Sequence, residues 1–140
     1  QRRIRTCVHL INGLPGETPV QMVESARQVG LLHPDAVKLQ LLHVIRGTAL
    51  ADWYNAGRFS VMSQAEYVSV ILRQLEVLPP ETVIERITGD GDRNKLIAPL
   101  WSMRKIAVLS AIDKAQAQAD SWQGKALGAA LHNACQVALP

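Results

Sequence analysis

"TCVHLINGLPGETPVQMVESARQVGLLHPDAVKLQLLHV", residues 6–44, decides the fold. Its opening run, Thr6 to Asn12, is short, apolar or β-branched, and breaks at Gly13, Pro15 and Gly16, the pattern of a strand buried on both faces. Thr18 then suits a helix N-cap, Pro19 the first helical position, and Gln21 completes a capping box with Thr18. Met22, Val23, Ala26 and Val29 share one helical face, and Gly30 stands where a C-terminal cap belongs. "AVKLQLLHV", residues 36–44, reads as a second strand, again too apolar for a sheet with one wet face. Strand, helix and strand in this order predict a βαβ unit with parallel strands.

Working outward, Leu50, Trp53 and Tyr54 mark a short helix that stops at Gly57. Ser63 with Glu66 makes a second capping box, after which Tyr67, Val68, Ile71, Leu72 and Leu75 form a buried stripe that Pro79-Pro80 ends. "TVIERITGDGDR", residues 82–93, predicts a third strand running into a Gly-Asp turn. Ile106, Leu109 and Ile112 predict an amphipathic helix over about residues 103–119, and the Ala-rich tail 126–140 reads as helical. Trp53, Trp101 and Trp122 read as core or lid packing.

The chain has 140 residues, 48% of them hydrophobic and 19% charged, which suits one single-core α/β domain or a piece of a larger one. A net charge of +3, with basic residues scattered except for Arg2, Arg3 and Arg5 near the start, makes no phosphate-neutralising stripe, so nucleic acid is unsupported as a partner. No apolar stretch reaches the length of a membrane span and no signal peptide is visible, so a cytoplasmic setting is expected. Cys7 and Cys135 have neither disulfide-framework nor metal-ligand spacing, so no metal ligands are assigned. The first residue is Gln1 rather than Met, just before a strand-like run, which reads as a fragment.

Buried parallel strands that only pack should carry Val, Ile and Leu. By alternation, Cys7, His9 and Ile11 share one face of the first strand. Lys38, Gln40 and Leu42 share one face of the second, and Ile84, Arg86, Thr88 and Asp90 one face of the third. A buried charge or amide needs a partner, water or a ligand. Polar residues at alternate positions on successive parallel strands therefore suggest a polar lumen or crevice opening at the strands' carboxyl ends, where the Gly-Pro-Gly, Arg-Gly-Thr and Gly-Asp-Gly turns sit. The Gly13–Thr18 turn also offers backbone N–H groups near a helix N-terminus, which favour an anion. A non-redox nucleotide- or phosphate-binding module is thus an alternative, and a structural piece that packs on a partner through an uncovered sheet edge is another.

In order and spacing, "HLINGLPGET", "KLQLLHVIRGT", "EYVSVILRQLEVLPPETVIERITGDG" and "LIAPLWS", followed by "AIDKA" and "WQGK", resemble the C-terminal half of a bacterial radical S-adenosylmethionine (SAM) family. That family is related to the Elp3-like and oxygen-independent coproporphyrinogen oxidase branches. The resemblance spans about Ile4 to Lys125. It implies the C-terminal part of a partial (β/α)6 barrel over residues 1–125, with C-terminal helices and the tail 126–140 beyond it. It also implies a parent enzyme that cleaves SAM to a 5′-deoxyadenosyl radical on a 4Fe-4S cluster, whose three cysteines belong to the other half of the barrel. This chain alone would then be inactive, with that half as its partner and SAM as its cofactor.

By the same resemblance, Ile11 and Gly13 match a Gly-x-Ile-x-Gly motif that lies against the adenosine, with His9 where the motif has Gly. Leu42, His43 and Val44 would border the adenine. Lys38, Gln40, Arg86, Thr88 and Asp90 match no general motif of the family, and the shared inward face alone nominates them as substrate-side groups.

Overall fold

The computed structural model describes residues 4–89 and 91–128. Strand β1 (Cys7–Asn12) leads into helix α1 (Pro19–Gly30), and β2 (Ala36–Leu41) returns parallel to β1, pairing His9 with Lys38 and Ile11 with Gln40. After β3 (Val44–Ile45), α2 (Ala49–Asn55) and α3 (Gln64–Val77), strand β4 (Val83–Arg86) adds parallel to the other side of β2. The sheet order is β1-β2-β4. Strand β5 (Leu96–Ala98) pairs antiparallel with β3 in a separate two-stranded sheet. A 3-10 helix (Leu100–Met103) and α4 (Lys105–Gln118) follow.

Both expected capping boxes form. Thr18 accepts from the Gln21 backbone N–H while Gln21 accepts from the Thr18 N–H at 2.8 Å, and Ser63 and Glu66 repeat the arrangement. Each such cap satisfies N–H groups that a helix start leaves open, worth about 1 kcal/mol. The capped helices bring Ala26 of α1 and Tyr67, Val68, Ile71 and Leu75 of α3 onto one face of the sheet. Val37, Leu39 and Leu41 of β2 meet them there, and Val108 and Ile112 of α4 extend the same core. The Tyr67 hydroxyl donates to the Ile87 carbonyl at 2.6 Å, which ties α3 to the end of β4.

Several expectations need correction. The first strand is not buried on both faces: β1 is an edge strand, with Cys7, His9 and Ile11 exposed and Val8 and Leu10 facing the helices. The second strand does not run from 36 to 44. It ends at Leu41, and Val44 enters the small antiparallel sheet, packing with Ala51 and Ala98. Apolar character alone does not record such a change of direction. The third strand stops at Arg86, short of Thr88. Helix α1 ends on Gly30 with Leu31 as its cap. On α4, Ile106 and Leu109 are exposed, and Val108 joins Ile112 as the buried pair. Trp101 does pack on the core, 5.6 Å from the Tyr67 ring, whereas Trp53 and Trp122 are exposed beside Arg58 and Lys125. Most of the tail 126–140 lies outside the described residues.

Candidate functional site

The alternation argument places side chains correctly on β1 and β2. In a parallel pair, residues in register point to the same side, so Cys7, His9, Ile11, Lys38 and Gln40 share the face opposite the helices. His9 and Ile11 are exposed there, and Lys38 and Gln40 half-buried. Between β2 and β4 the register shifts after Val37, so that Lys38 pairs with Arg86. The shift has a chemical consequence: Glu85, which strict alternation assigns to the opposite side, reaches Lys38 with Oε2 3.2 Å from Nζ. The Lys38 hydrogen bond and charge hold the Glu85 carboxyl below its ordinary range, while partial desolvation and the Glu85 charge push the Cys7 thiol up. Glu85 is the member of this face that the sequence did not nominate, because a bulge leaves no mark in a residue pattern.

At the carboxyl end of β1, the chain is held by a polar interaction that the sequence also hid. Asn12 and Gln74 of α3, both fully buried, exchange two side-chain hydrogen bonds of 2.9 and 2.8 Å, and Gln74 donates a third to the Met22 carbonyl. A mid-helix Gln looks solvent-facing in a sequence, yet this one locks β1 to α1 and α3 in the core. Gly13 follows directly with φ of +86°, where a Cβ would stand 3.1 Å from the Met62 sulfur. Only glycine enters this turn without strain, for reasons of both conformation and space. Met62 is positioned in turn by the Trp101 indole, whose N–H donates to its carbonyl at 3.0 Å.

The remaining nominated residues gather at the same end of the sheet. Leu42 follows β2, and its N–H donates to the Asn12 carbonyl at 2.9 Å, beside Gly13. His43 is half-buried against the turn after β4: a Cβ on Gly89 would lie 2.8 Å from its Cε1, and one on Gly91 3.0 Å from its Nδ1. Burial, with a smaller contribution from the Lys105 charge, lowers the His43 pKa, which favours a neutral imidazole. Among the described residues, no hydrogen-bond partner reaches its buried Nε2. Val44, in contrast, is fully buried in the second sheet and presents no side-chain surface to a ligand. Arg86 ends β4 exposed, Thr88 lies half-buried beyond the strand, and Asp90 is outside the described residues.

Clefts border this end. One of about 370 Å³ lies between the Gly13–Glu17 turn and the Arg58–Met62 segment, and one of about 300 Å³ is bounded by His9, Ile11, Asn12 and Gln74. Among the described residues, no group of three His, Cys, Asp or Glu side chains is placed to hold a metal ion, and no helix is long and apolar enough to cross a membrane.

Comparison with known proteins fits this layout. The chain is 43% identical over 122 residues to the protein YtqA of Bacillus subtilis, covering 87% of this chain and 38% of YtqA. It is 31% identical over 128 residues to the protein YhcC of Escherichia coli (strain K12), covering 91% of this chain and 41% of YhcC. It therefore spans about two fifths of the length of these relatives. Its fold is similar to that of the archaeal Methanocaldococcus infernus Elp3 with an N-terminal deletion, with a TM-score of 0.61 at 22% identity over 79% of this chain and 27% of that one. The family described as the Radical_SAM C-terminal domain matches residues 34–118, and the chain belongs to that family.

Proposed function

We propose that this chain forms the adenosine and substrate side of a radical SAM barrel, residues 1–125 being the C-terminal portion of that domain and 126–140 a tail beyond it. The observation that carries the reading is the division of one parallel sheet into an apolar face under α1 and α3 and an open face bearing His9, Lys38, Gln40, Glu85 and Arg86. In a closed or nearly closed barrel the open face is the lumen, and such lumens are worked at the strands' carboxyl ends. His9, Ile11 and Gly13 would lie along the adenosine, and Leu42 and His43 would border the adenine, with Val44 as packing behind them. Lys38, Gln40, Arg86, Thr88 and Asp90 would face the substrate, with Glu85 fixing the Lys38 ammonium.

The chain holds two cysteines, Cys7 and Cys135, so the three thiolates that a 4Fe-4S cluster needs are not among its residues. The adenosyl part fits better: exposed Ile11 offers an apolar surface, and the His43 Nε2 has no hydrogen-bond partner among the described residues. Bound together with its cluster, SAM would supply a 5′-deoxyadenosyl radical. The role of this chain is to bind and orient the nucleoside and to shield it from water. The setting would be cytoplasmic, and the partner the cluster-bearing half of the barrel.

Anaerobic reconstitution of the full-length parent protein with iron and sulfide tests this. Cluster absorbance and reductive cleavage of SAM are expected, and the absence of both overturns the reading. Calorimetric binding of a nucleotide to a parent without the cysteine triad would instead favour a non-redox binding module built on the Gly13–Thr18 turn.

A further inference from the structure

Glu17 stands directly before the cap of α1 and takes no part in it. Thr18 and Gln21 serve each other's backbone N–H groups there, so the helix start has no need of a further carboxylate. What the local structure does fix is the Glu17 backbone. Its N–H donates to the Leu14 carbonyl at 3.0 Å, closing a turn in which Gly13 and Gly16 adopt φ of +86° and +82°. The side chain is thereby held half-buried, at a position common to the clefts of about 370 and 300 Å³. Its Oε2 is shielded from solvent, and among the described residues nothing donates to it.

The other charged groups of the larger cleft are committed elsewhere. Glu66 accepts from the Ser63 backbone N–H and hydroxyl, both at 2.8 Å, and these bonds hold its carboxyl below the ordinary range, so it adds a second negative charge. Arg58 lies 6.0 Å from the centre of the Trp53 ring and leaves the Glu17 oxygen unpaired. Phe59 and Met62 supply apolar surface between them, and Met62 is fixed by the Trp101 N–H on its carbonyl. A shielded oxygen without a donor is costly, so it marks a place where an incoming donor gains more than it would at an exposed carboxylate. The donor that gains most is a cationic N–H group, because charge-assisted hydrogen bonds to carboxylates are the strong class. One free carboxylate is too few ligands for a metal ion.

We propose that the cleft between the Gly13–Glu17 turn and the Arg58–Met62 segment is an amine subsite, in which Glu17 accepts from the ammonium group of a small molecule whose hydrocarbon part rests on Phe59 and Met62. Assigning that amine to the substrate rests on the proposed reading of the strands' carboxyl ends as the substrate mouth; the amine-binding chemistry itself does not. The turn holds Glu17 in place, its carboxylate supplies the charge and the acceptor, and the apolar wall selects a ligand with a carbon chain over a bare ammonium ion.

The test is a titration of the chain with n-butylammonium and, separately, with butyltrimethylammonium, which has the same charge and chain but no N–H. The carbon resonance of the Glu17 carboxyl group reports binding. Saturable movement is expected with n-butylammonium, and binding at least about tenfold weaker with butyltrimethylammonium, the equivalent of one lost charge-assisted hydrogen bond. Glu17→Gln keeps the shape and removes the charge, and calorimetry should show n-butylammonium binding weakened about tenfold with an unchanged circular dichroism spectrum. If Glu17→Gln fails to fold, the comparison of the two amines on the wild-type chain decides alone. No saturation with n-butylammonium, equal binding of both amines, or wild-type affinity in folded Glu17→Gln overturns the proposal. Loss of amine binding in a parent that still cleaves SAM would remove this subsite and leave the proposed function standing. Amine binding without SAM cleavage would do the reverse.

Discussion

The two faces of the β1-β2-β4 sheet are made from alternate residues of the same short strands, yet they obey different rules. On one, Val37, Leu39 and Leu41 are sealed under α1 and α3, and the buried pair Asn12 with Gln74 is internally satisfied. On the other, His9 and Ile11 are exposed, and Lys38 is held by Glu85 across a register shift. The first face pays for folding. The second contributes little to stability and is therefore the one available for chemistry.

This contrast predicts unequal responses to substitution. Leu39→Ala should destabilise the chain by about 2–5 kcal/mol, because a fully buried side chain leaves a cavity, whereas its neighbour Lys38→Ala should cost less than about 1 kcal/mol. Urea unfolding of the two variants measures the difference, and equal losses would erase the distinction between the faces.

Gln74→Leu should come next, at about 1–3 kcal/mol, since it strands the Asn12 amide and the Met22 carbonyl in the core. Adding Asn12→Leu should recover part of that loss in a double-mutant cycle, because no orphaned amide then remains on β1. Strictly additive losses would show that the pair is not coupled.

The smallest effect is electrostatic. Because Lys38 lowers the folded-state pKa of Glu85, the ion pair stabilises the fold above the ordinary carboxylate range. That contribution is lost as pH falls through the lowered value. Lys38→Met should make the urea midpoint less sensitive to acid, and an unchanged acid profile would mean the pair carries no energetic weight.

How much of this was legible in the residues depended on whether the signal was local. Thr18 with Gln21 and Ser63 with Glu66 announced their helices because a capping box is written within four positions. The common face of His9, Ile11, Lys38 and Gln40 was legible because strand alternation has a fixed period. What failed was everything set by distant partners. The run 36–44 conceals the bend after Leu41, which exists because Val44 pairs with Ala98, more than fifty positions away. Glu85 joins the open face through a bulge, and Gln74 is buried because Asn12 awaits it. The close packing of His43 on Gly89 and Gly91 depends on a turn that a sequence shows only as a generic break.

The central claim is that the open face holds the nucleoside. Calorimetric titration of S-adenosylhomocysteine into the cluster-loaded parent protein tests it most directly, comparing the wild-type chain with His9→Ala and Ile11→Ala, both exposed and so tolerated by the fold. The account predicts affinity reduced about tenfold or more with cluster absorbance and thermal stability unchanged. Wild-type affinity in both variants would contradict it.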